Sequence, residues 1–340
     1  MKNCVVCCIV AVCVLLTGIP TPLLAESVVV YDQAGRSVVI QQPVERVVTT
    51  FIPATLFALC AGLKDRIVGA STKDGTSSIY EALIDKNNPP TLVGNRSNGL
   101  NLETIASLKP DLVIMYGQKD GVRLADRLTA LGIPVIVIMP EDFSSMKTAL
   151  ALIGEASGRR KHVDTVIAAM SAIEKGVASR VEGLAAPRVY YATSNLLRTV
   201  SGDMLQNEMI RLAGGKNVSE HSKGFFVNIS REQLFTWNPE IILCSDRLSS
   251  AELERIYSPE FSSLAALQDP ANTKVFRFPA ETYWDFPSPL AMAGVLWMSK
   301  QIHPEAYNTV DFQKEIDWFY DSIFGQGFAQ SHPVVVGRQP

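Results

Sequence analysis

Apolar runs of four or five residues alternate with amphipathic, helix-like segments along most of the chain. Their length and their Val, Ile and Leu content are typical of buried strands. Seven strands are predicted, at Val47–Phe51, Ile67–Ala70, Leu112–Tyr116, Val135–Met139, Val189–Ala192, Ile241–Cys244 and Lys274–Phe278. Helical spacing is found at Pro53–Leu63, Leu102–Leu108 and Val122–Leu131. This alternation predicts an α/β fold with mainly parallel sheets.

A long helical pattern divides the strands into two groups. Apolar positions recur at helical spacing from Arg160 to Leu184, and such a helix is roughly 37 Å long. The length of 340 residues also favours two domains. We therefore predict two Rossmann-like lobes joined by one long α-helix, with a ligand cleft between the lobes and only small closure motions. The predicted N-terminal lobe, lobe-spanning helix, C-terminal lobe and tail are residues 26–158, 159–185, 186–330 and 331–340.

The first 25 residues have the pattern of a secretory signal peptide. Lys2 supplies a positive charge, Val5–Leu16 is almost wholly apolar, and Ala25 precedes the polar Glu26. A helix that spans a membrane needs about 20 apolar residues, so this run is too short to be an anchor. We predict cleavage after Ala25 and a mature protein that is free in the periplasm.

Cysteine content and charge exclude several classes of protein. Four of the six cysteines lie in the leader, and the two others, Cys60 and Cys244, lie in apolar segments. This predicts buried thiols rather than a disulfide. The 31 basic and 34 acidic residues are mixed along the chain and give a net charge of −3. No patch for nucleic acid or for an anionic membrane stands out.

Two segments of the chain have similar sequences, NLETIASLKPDLVIM at 101–115 and SREQLFTWNPEIILC at 230–244. Asn101 and Ser230 are good N-cap residues, and the proline in each copy ends the helix before a buried strand begins. Glu103 and Glu232 then lie in the first turn of matching helices, on the rim of each lobe. The simpler explanation for an acid at each of these positions is that its carboxylate interacts favourably with the helix dipole, by about 0.3–1 kcal/mol.

These motifs resemble the periplasmic substrate-binding proteins of ABC importers that carry siderophores, haem, vitamin B12 and some oxyanions. The similarity spans the mature chain and is most specific in the two repeated segments, the long helix and LWMSKQIHPE near the C-terminus. It implies that Glu103 and Glu232, one per lobe, dock onto arginines of a membrane permease dimer. A two-fold symmetric permease would explain why each lobe carries one copy of the docking element.

The segment Tyr283–Pro289, YWDFPSP, is the strongest local candidate for ligand binding. Ser288 is predicted to cap a helix at Leu290–Ile302, whose positive end would face the cleft beside Tyr283 and Trp284. Such a loop suits a ligand with a flat or apolar surface and negative charge. In the alternative interpretation these aromatic residues pack in the core of the second lobe.

Other candidates come from segments that follow strands or precede the second glutamate helix: Arg198, Lys223, Phe225, Thr55 and Tyr116. Arg198 and Lys223 would bind an anion, whereas Phe225 would line the cleft. Each also has a simpler interpretation as a solvated or a core residue. Leu56 and Leu290 stand where the resembling family often has an acidic residue and an arginine, which weakens the transfer of a ligand identity.

The sequence predicts a binding protein and leaves its ligand open. No G-x-S-x-G, G-x-G-x-x-G, P-loop or H-E-x-x-H motif is present. The alternative class is an α/β enzyme, which would have to lack a recognisable catalytic motif. His221 is the single histidine near the predicted cleft, and no resident metal or cofactor is predicted. The favoured ligand is a chelated metal compound such as an iron–siderophore or haem. The alternative is molybdate or tungstate, and a monomer is expected.

Overall fold

The computed structural model describes residues 26–71, 78–95, 99–269 and 273–334. The predicted signal peptide and residues 335–340 of the predicted tail lie outside the described residues.

The first lobe opens with a β-hairpin and continues into a parallel sheet. The hairpin pairs β1 (Ser27–Tyr31) with β2 (Ser37–Gln41) in antiparallel register. The next strands are β3 (Val47–Thr50), β4 (Ile67–Ala70), β5 (Thr91–Leu92), β6 (Gly94–Asn95), β7 (Gly99–Leu100), β8 (Leu112–Tyr116) and β9 (Val135–Ile138). Five of them form a parallel sheet in the order β5-β4-β3-β8-β9, and β6 and β7 form a separate antiparallel ribbon.

Five α-helices belong to the first lobe: α1 (Ile52–Cys60), α2 (Ser78–Leu83), α3 (Leu102–Ser107), α4 (Gly121–Ala130) and α5 (Phe143–Ala156). Side chains cap two of them where the sequence offers a short polar residue. Asn101 accepts the Thr104 N–H at 2.9 Å, and Asp142 and Ser145 form a capping box at the start of α5.

The long helix α6 (Arg160–Val181) follows directly. It has 22 residues and is therefore about 33 Å long. The predicted helix continued to Leu184, three residues further. The observed helix is shorter because Glu182 leaves the helical conformation and Gly183 adopts φ 74°.

The second lobe repeats the plan of the first. Its strands are β10 (Arg188–Ala192), β11 (Arg198–Val200), β12 (Lys216–Asn217), β13 (Phe226–Asn228), β14 (Ile241–Cys244) and β15 (Val275–Arg277). Its helices are α7 (Leu205–Leu212), α8 (Arg231–Trp237), α9 (Ser250–Ile256), α10 (Ala291–Ile302), α11 (Phe312–Phe324) and α12 (Phe328–Ser331). Short 3₁₀ segments lie at Lys64–Arg66, Pro259–Phe261, Ala265–Leu267 and Pro304–Tyr307.

Strand order is the same in both lobes. The second sheet is parallel in the order β12-β10-β14-β15, and the first has the equivalent order β4-β3-β8-β9 with β5 added outside. With β5 left out, the strands of each parallel sheet therefore run second, first, third, fourth in chain order. All seven predicted strands are present. The strand predicted at Val47–Phe51 ends one residue early because Phe51 has φ 73°, which is incompatible with an extended strand.

A shared hydrophobic core connects the lobes. One cluster of buried side chains contains residues of α1, α5, α6, α7, α10 and α11 together with one face of each sheet. The opposite faces form two separate clusters, around Val113 with α3 and α4 in the first lobe and around Ile242 with α8 and α9 in the second. Alternate strand residues serve the two faces, as expected for buried parallel strands. A continuous helical layer therefore joins the two lobes.

The duplicated segments also share their backbone geometry. Lys109 and Asn238, each before a proline, both have positive φ, at 46° and 40°. Arg46 donates from its guanidinium to the Leu108 carbonyl at 2.7 Å. Arg188 donates from its guanidinium to the Asn238 carbonyl at 3.1 Å, one position later in the register of the repeat. The repeat therefore extends beyond the two quoted segments to the strand that pairs with each.

Candidate ligand cleft and docking helices

Strand order locates the crevice of each lobe. In an open parallel sheet, ligands bind beyond the C-terminal strand ends where the order of strands reverses. That point lies between β3 and β8 in the first lobe and between β10 and β14 in the second. Phe51 follows β3, Tyr116 ends β8, and Ser245 follows β14. These residues mark the edge where a ligand is expected.

Four aromatic side chains from both lobes meet at this edge. In the first lobe the ring centroids of Phe51 and Tyr116 are 5.4 Å apart, and in the second those of Tyr283 and Phe286 are also 5.4 Å apart. Phe51 and Phe286, with centroids 6.1 Å apart, join the two pairs. We call these four residues the aromatic cluster. The predicted contacts Tyr116 and Tyr283 are thus brought together.

Arg247 places a positive charge against the aromatic cluster. Its guanidinium carbon lies 4.7 Å from the ring centroid of Phe286 and 5.8 Å from that of Tyr283, within the range of cation–π interactions. Neither Arg247 nor Phe51 was predicted from the sequence. Their position in the sequence is the signal that could have identified them, because Phe51 comes directly after β3 and Arg247 comes three residues after β14.

A buried carboxylate fastens the loop that carries Tyr283 and Phe286. Asp285 Oδ2 accepts hydrogen bonds from the hydroxyls of Tyr191 and Ser245, both at 2.6 Å. Burial raises the pKa of the Tyr191 phenol, and the Asp285 charge raises it further, so Tyr191 remains a neutral donor. Because Tyr191 lies on β10 and Ser245 follows β14, the loop is tied to the centre of the sheet.

A second carboxylate fixes the start of the same loop. Asp246 Oδ2 accepts the backbone N–H of Glu281 at 3.1 Å. Burial raises the pKa of the Asp246 carboxyl, and the nearby Asp285 charge raises it further, against the lowering effect of Arg247 and Arg277. The aromatic residues of the second lobe therefore stand on a loop that is held at Glu281 and again at Asp285.

A cavity of about 290 Å³ opens beside Phe51 in the first lobe. Its size is near the lower end of small-molecule sites. Phe51 and Tyr116 are part of its wall, so the cavity adjoins the aromatic cluster. Four charged side chains also line it: the basic Lys119, Arg123 and Arg127, and the acidic Asp120, which pairs with Arg123 at 3.0 Å. The cavity therefore adds positive charge on the first-lobe side of the cleft.

Two predicted ligand contacts lie in the core instead. Trp284 is 0% exposed, and its indole N–H donates to the Tyr320 hydroxyl at 2.8 Å. Burial is favoured because the large ring has apolar neighbours and its N–H has a partner. Thr55 is buried within α1, and its hydroxyl oxygen lies 2.8 Å from that of Thr49. The alternative interpretation, packing in the core, is correct for Trp284.

The predicted cap at Ser288 is also wrong. The helix begins at Ala291, and its first N–H groups donate to the carbonyls of Ser288, Pro289 and Leu290 in tight turns. Backbone groups thus satisfy the helix start and no side chain caps it. The Ser288 hydroxyl is buried and has no hydrogen-bond partner among the described residues.

Three other predicted contacts lie on the β11–β13 ribbon of the second lobe or beside it. Arg198 stacks on Phe226, with the guanidinium carbon 4.4 Å from the ring centroid. Lys223 pairs with Asp203 at 3.1 Å. Phe225 is 63% exposed. These residues form a second group, separate in sequence from the Tyr283 loop.

The two predicted docking glutamates are exposed in the first turns of α3 and α8. Asn101 caps α3, and Ser230 caps α8 by accepting the Gln233 N–H at 3.1 Å. The N–H of Glu232 itself and the Ser230 hydroxyl lower the pKa of the Glu232 carboxyl. Glu232 also lies 3.5 Å from Arg231, yet its side chain is 74% exposed. Both carboxylates are available to a partner.

The described part of the chain offers neither a metal-binding cluster nor a membrane-spanning helix. No cluster of three or more His, Cys, Asp or Glu side chains suited to a metal ion occurs there. No described helix is both long and apolar enough to cross a membrane. Cys60 and Cys244 are buried free thiols, as predicted, and burial raises the pKa of Cys244 to about 12.

The sequence matches a family model described as periplasmic binding protein over residues 47–282. It is 25% identical to the molybdate-binding protein MolA of Haemophilus influenzae, across 91% of this chain and 94% of MolA. It is 27% identical to the vitamin B12-binding protein of Yersinia pestis, across 62% of this chain and 73% of that protein. Both relatives are named for the solute that they bind.

The fold is likewise similar to the solved structure of molybdate-bound MolA. The TM-score is 0.71 at 24% identity, covering 87% of this chain and 97% of the other. That structure is described as the cognate binding protein of an ABC transporter. The family match, which covers more than half of the chain, makes this a solute-binding protein and not an enzyme. The chain belongs to the periplasmic binding protein family.

Proposed function

We propose that the protein captures a chelated metal compound, of the iron–siderophore or haem type, between its lobes and delivers it to an ABC importer. The observation that carries this proposal is the aromatic cluster, in which Phe51 of one lobe meets Phe286 of the other. Rings from both sides of a cleft suit the flat or apolar surface of an organic chelator. The metal is then cargo, held by the chelator.

Charge in the cleft supports an anionic cargo. Arg247 lies against the rings on the second-lobe side. Lys119, Arg123 and Arg127 line the adjoining cavity on the first-lobe side. Guanidinium groups bind carboxylates and similar anions through charge-assisted hydrogen bonds. The proposed ligand therefore combines a flat surface with negative charge.

Glu103 and Glu232 are the proposed contacts with the permease dimer. Each is exposed in the first turn of a capped helix, and the two helices occupy equivalent places in the two lobes. Two like carboxylates fit a partner with two-fold symmetry. In this proposal the protein acts as a monomer in the periplasm, after cleavage of the leader at Ala25, and its parts follow the predicted division at 26–158, 159–185 and 186–330.

Molybdate or tungstate is the second candidate ligand. The similarity to MolA and the basic lining of the cavity favour it. An oxyanion would use Lys119, Arg127 or Arg247 rather than the rings. The two candidates therefore differ in which half of the site they need.

Thermal unfolding of the mature protein tests the ligand. Haemin, a ferric siderophore, cobalamin and molybdate are compared at equal concentrations, with sulfate as a control anion. A ligand at 100 times its Kd stabilises the native state by about 2.7 kcal/mol. We expect the chelates to raise the unfolding temperature. A response to molybdate alone would replace the first candidate with the second.

Charge reversal tests docking separately. Glu103→Lys and Glu232→Lys are expected to leave affinity in solution unchanged and to abolish uptake through the cognate permease. Glu182→Lys is the matched control, because Glu182 is an exposed glutamate at the end of α6, outside both docking helices. Transport that survives both reversals would contradict the docking role.

A further inference from the structure

The second docking helix carries an arginine that the first does not. In the register of the repeat, Arg231 stands at the position of Leu102, and the glutamate follows directly in both copies. Leu102 packs against the apolar cluster around Val113. The Arg231 side chain is instead 48% exposed, beside Glu232. The two helices therefore present different charges next to their first-turn acids.

Arg231 lies between two carboxylates. Its Nη1 donates to Glu260 Oε1 at 3.1 Å, and its Nη2 lies 3.5 Å from Glu232 Oε1. The Glu260 side chain is 34% exposed, against 74% for that of Glu232. Solvent and salt screen a less exposed pair less strongly. The contact with Glu260 is therefore both the shorter and the better shielded of the two.

Glu260 is itself held in place. It lies in the 3₁₀ segment Pro259–Phe261, and its Oε1 is also 3.7 Å from Arg255 Nη2. Arg255 lies over the Phe261 ring, with its guanidinium carbon 5.6 Å from the centroid. The Phe261 ring stacks on Phe235 of α8, with centroids 6.0 Å apart. Glu260 is thus packed against the same helix that bears Arg231 and Glu232.

We propose that Arg231 competes with the permease for Glu232, and that Glu260 limits this competition by holding the guanidinium away. The inference rests on the proposed docking role of Glu232. A carboxylate in a docking contact is complementary to a cationic group of the partner. Arg231 is a cation on the same face, so it occupies Glu232 and repels the partner's cation. Docking is strongest when Arg231 is drawn fully to Glu260.

Binding of the mature protein to its cognate permease in lipid nanodiscs tests the competition. Arg231→Gln is expected to bind roughly 2- to 5-fold more tightly than the wild type, and Glu260→Gln roughly 2- to 5-fold more weakly. In the Arg231→Gln background, Glu260→Gln should have little effect, because no guanidinium is left to release. Both shifts should shrink at high salt.

Arg160→Gln and Glu155→Gln are the matched controls. These two residues form an exposed ion pair at 3.0 Å where α5 gives way to α6, outside both docking helices. Both variants are expected to bind the permease as the wild type does.

A titration of the free protein gives a readout without the permease. The N–H of Glu232 itself and the Ser230 hydroxyl lower the pKa of the Glu232 carboxyl, and Arg231 lowers it further. We expect Arg231→Gln to raise this pKa and Glu260→Gln to lower it, as followed by NMR of the carboxyl carbon.

Permease binding by Arg231→Gln at or below the wild-type level would overturn the competition, and so would an unchanged Glu232 pKa in this variant. An equal loss from Glu260→Gln with and without Arg231 would overturn the role of Glu260, since the effect would then come from its charge alone. Loss of binding by Glu232→Lys without any effect of Arg231→Gln would keep the docking role and overturn the competition. Wild-type binding by Glu232→Lys would count against both.

Discussion

Glu208 of the second lobe accepts the backbone N–H of Phe143 from the first lobe, with 3.0 Å between Oε2 and the nitrogen. Phe143 is the first residue of α5, so the carboxylate meets the positive end of that helix. Burial raises the pKa of the Glu208 carboxyl, and the neighbouring Asp142 and Glu174 raise it further. The bond to Phe143 and the charge of Arg211 oppose this change without cancelling it.

This relationship predicts a pH effect on stability. Because the folded pKa of Glu208 lies above its usual value of 4.5, the native state binds the proton more tightly than the unfolded chain. The stabilising contribution is present below the unfolded pKa and is lost as pH rises through the folded pKa. Glu208→Gln keeps an acceptor for Phe143 and removes the charge. We expect the unfolding free energy of this variant, measured in urea at pH 7, to equal or exceed that of the wild type.

Glu208→Ala is the control for the hydrogen bond itself. It leaves the Phe143 N–H without this acceptor and, because both variants are uncharged, is expected to have about 1 kcal/mol less unfolding free energy than Glu208→Gln at both pH 5 and pH 7. If Gln and Ala variants lost the same amount at pH 7, the contact would contribute nothing through the hydrogen bond.

Two adjacent tyrosines donate hydrogen bonds to different kinds of acceptor, one to a charged group and one to a neutral group. Tyr191 donates to the Asp285 carboxylate at 2.6 Å, whereas Tyr190 donates to the Leu196 carbonyl at 2.7 Å, and both are buried. Bonds to charged groups contribute more. Tyr191→Phe is expected to cost about 1.5–3 kcal/mol and Tyr190→Phe about 1 kcal/mol. Chemical denaturation measures both, and the reverse order would contradict a charged Asp285.

The caps of the docking helices are expected to contribute equally. Asn101→Ala and Ser230→Ala should each cost about 1 kcal/mol in unfolding free energy, because each removes an acceptor for an N–H of the first turn. Their effects should add in the double variant, since the helices lie in different lobes. Ser107→Ala, at the far end of α3, is the control and should change stability by less than about 0.5 kcal/mol.

Backbone strain at Phe51 is open to direct measurement. Phe51→Ala removes the ring but keeps a Cβ, and Phe51→Gly removes both. Glycine adopts φ 73° freely, so the glycine variant should be more stable than the alanine variant, by about 1 kcal/mol or more. Thermal unfolding compares the two. An alanine variant that is the more stable of the two would show that the site is unstrained.

Periodicity was sufficient to predict the layers of the fold. The strands at Ile67–Ala70, Leu112–Tyr116 and Ile241–Cys244 match the predicted bounds, because buried parallel strands are apolar on both faces and end at polar or turn residues. Caps at Asn101 and Ser230 were likewise readable, since their partners lie three residues away.

The cleft was harder to predict because its contacts are long-range. Tyr283 and Trp284 are neighbours in sequence, yet one joins the aromatic cluster and the other enters the core. Only the position of Tyr320, 36 residues away, decides where the indole N–H is satisfied. Phe51 and Phe286 likewise meet across the lobes, and no local pattern relates them.

The similar N-terminal geometry of α3 and α8 has a consequence for how a permease would bind the molecule. In the proposed docking, each half of a two-fold symmetric permease would meet a side-chain cap, a first-turn acid and a proline-terminated turn, because each lobe carries one such set. An otherwise asymmetric molecule could then be bound by both halves at once through like contacts. The contacts would share the load, and loss of one acid would leave the molecule held on one side only.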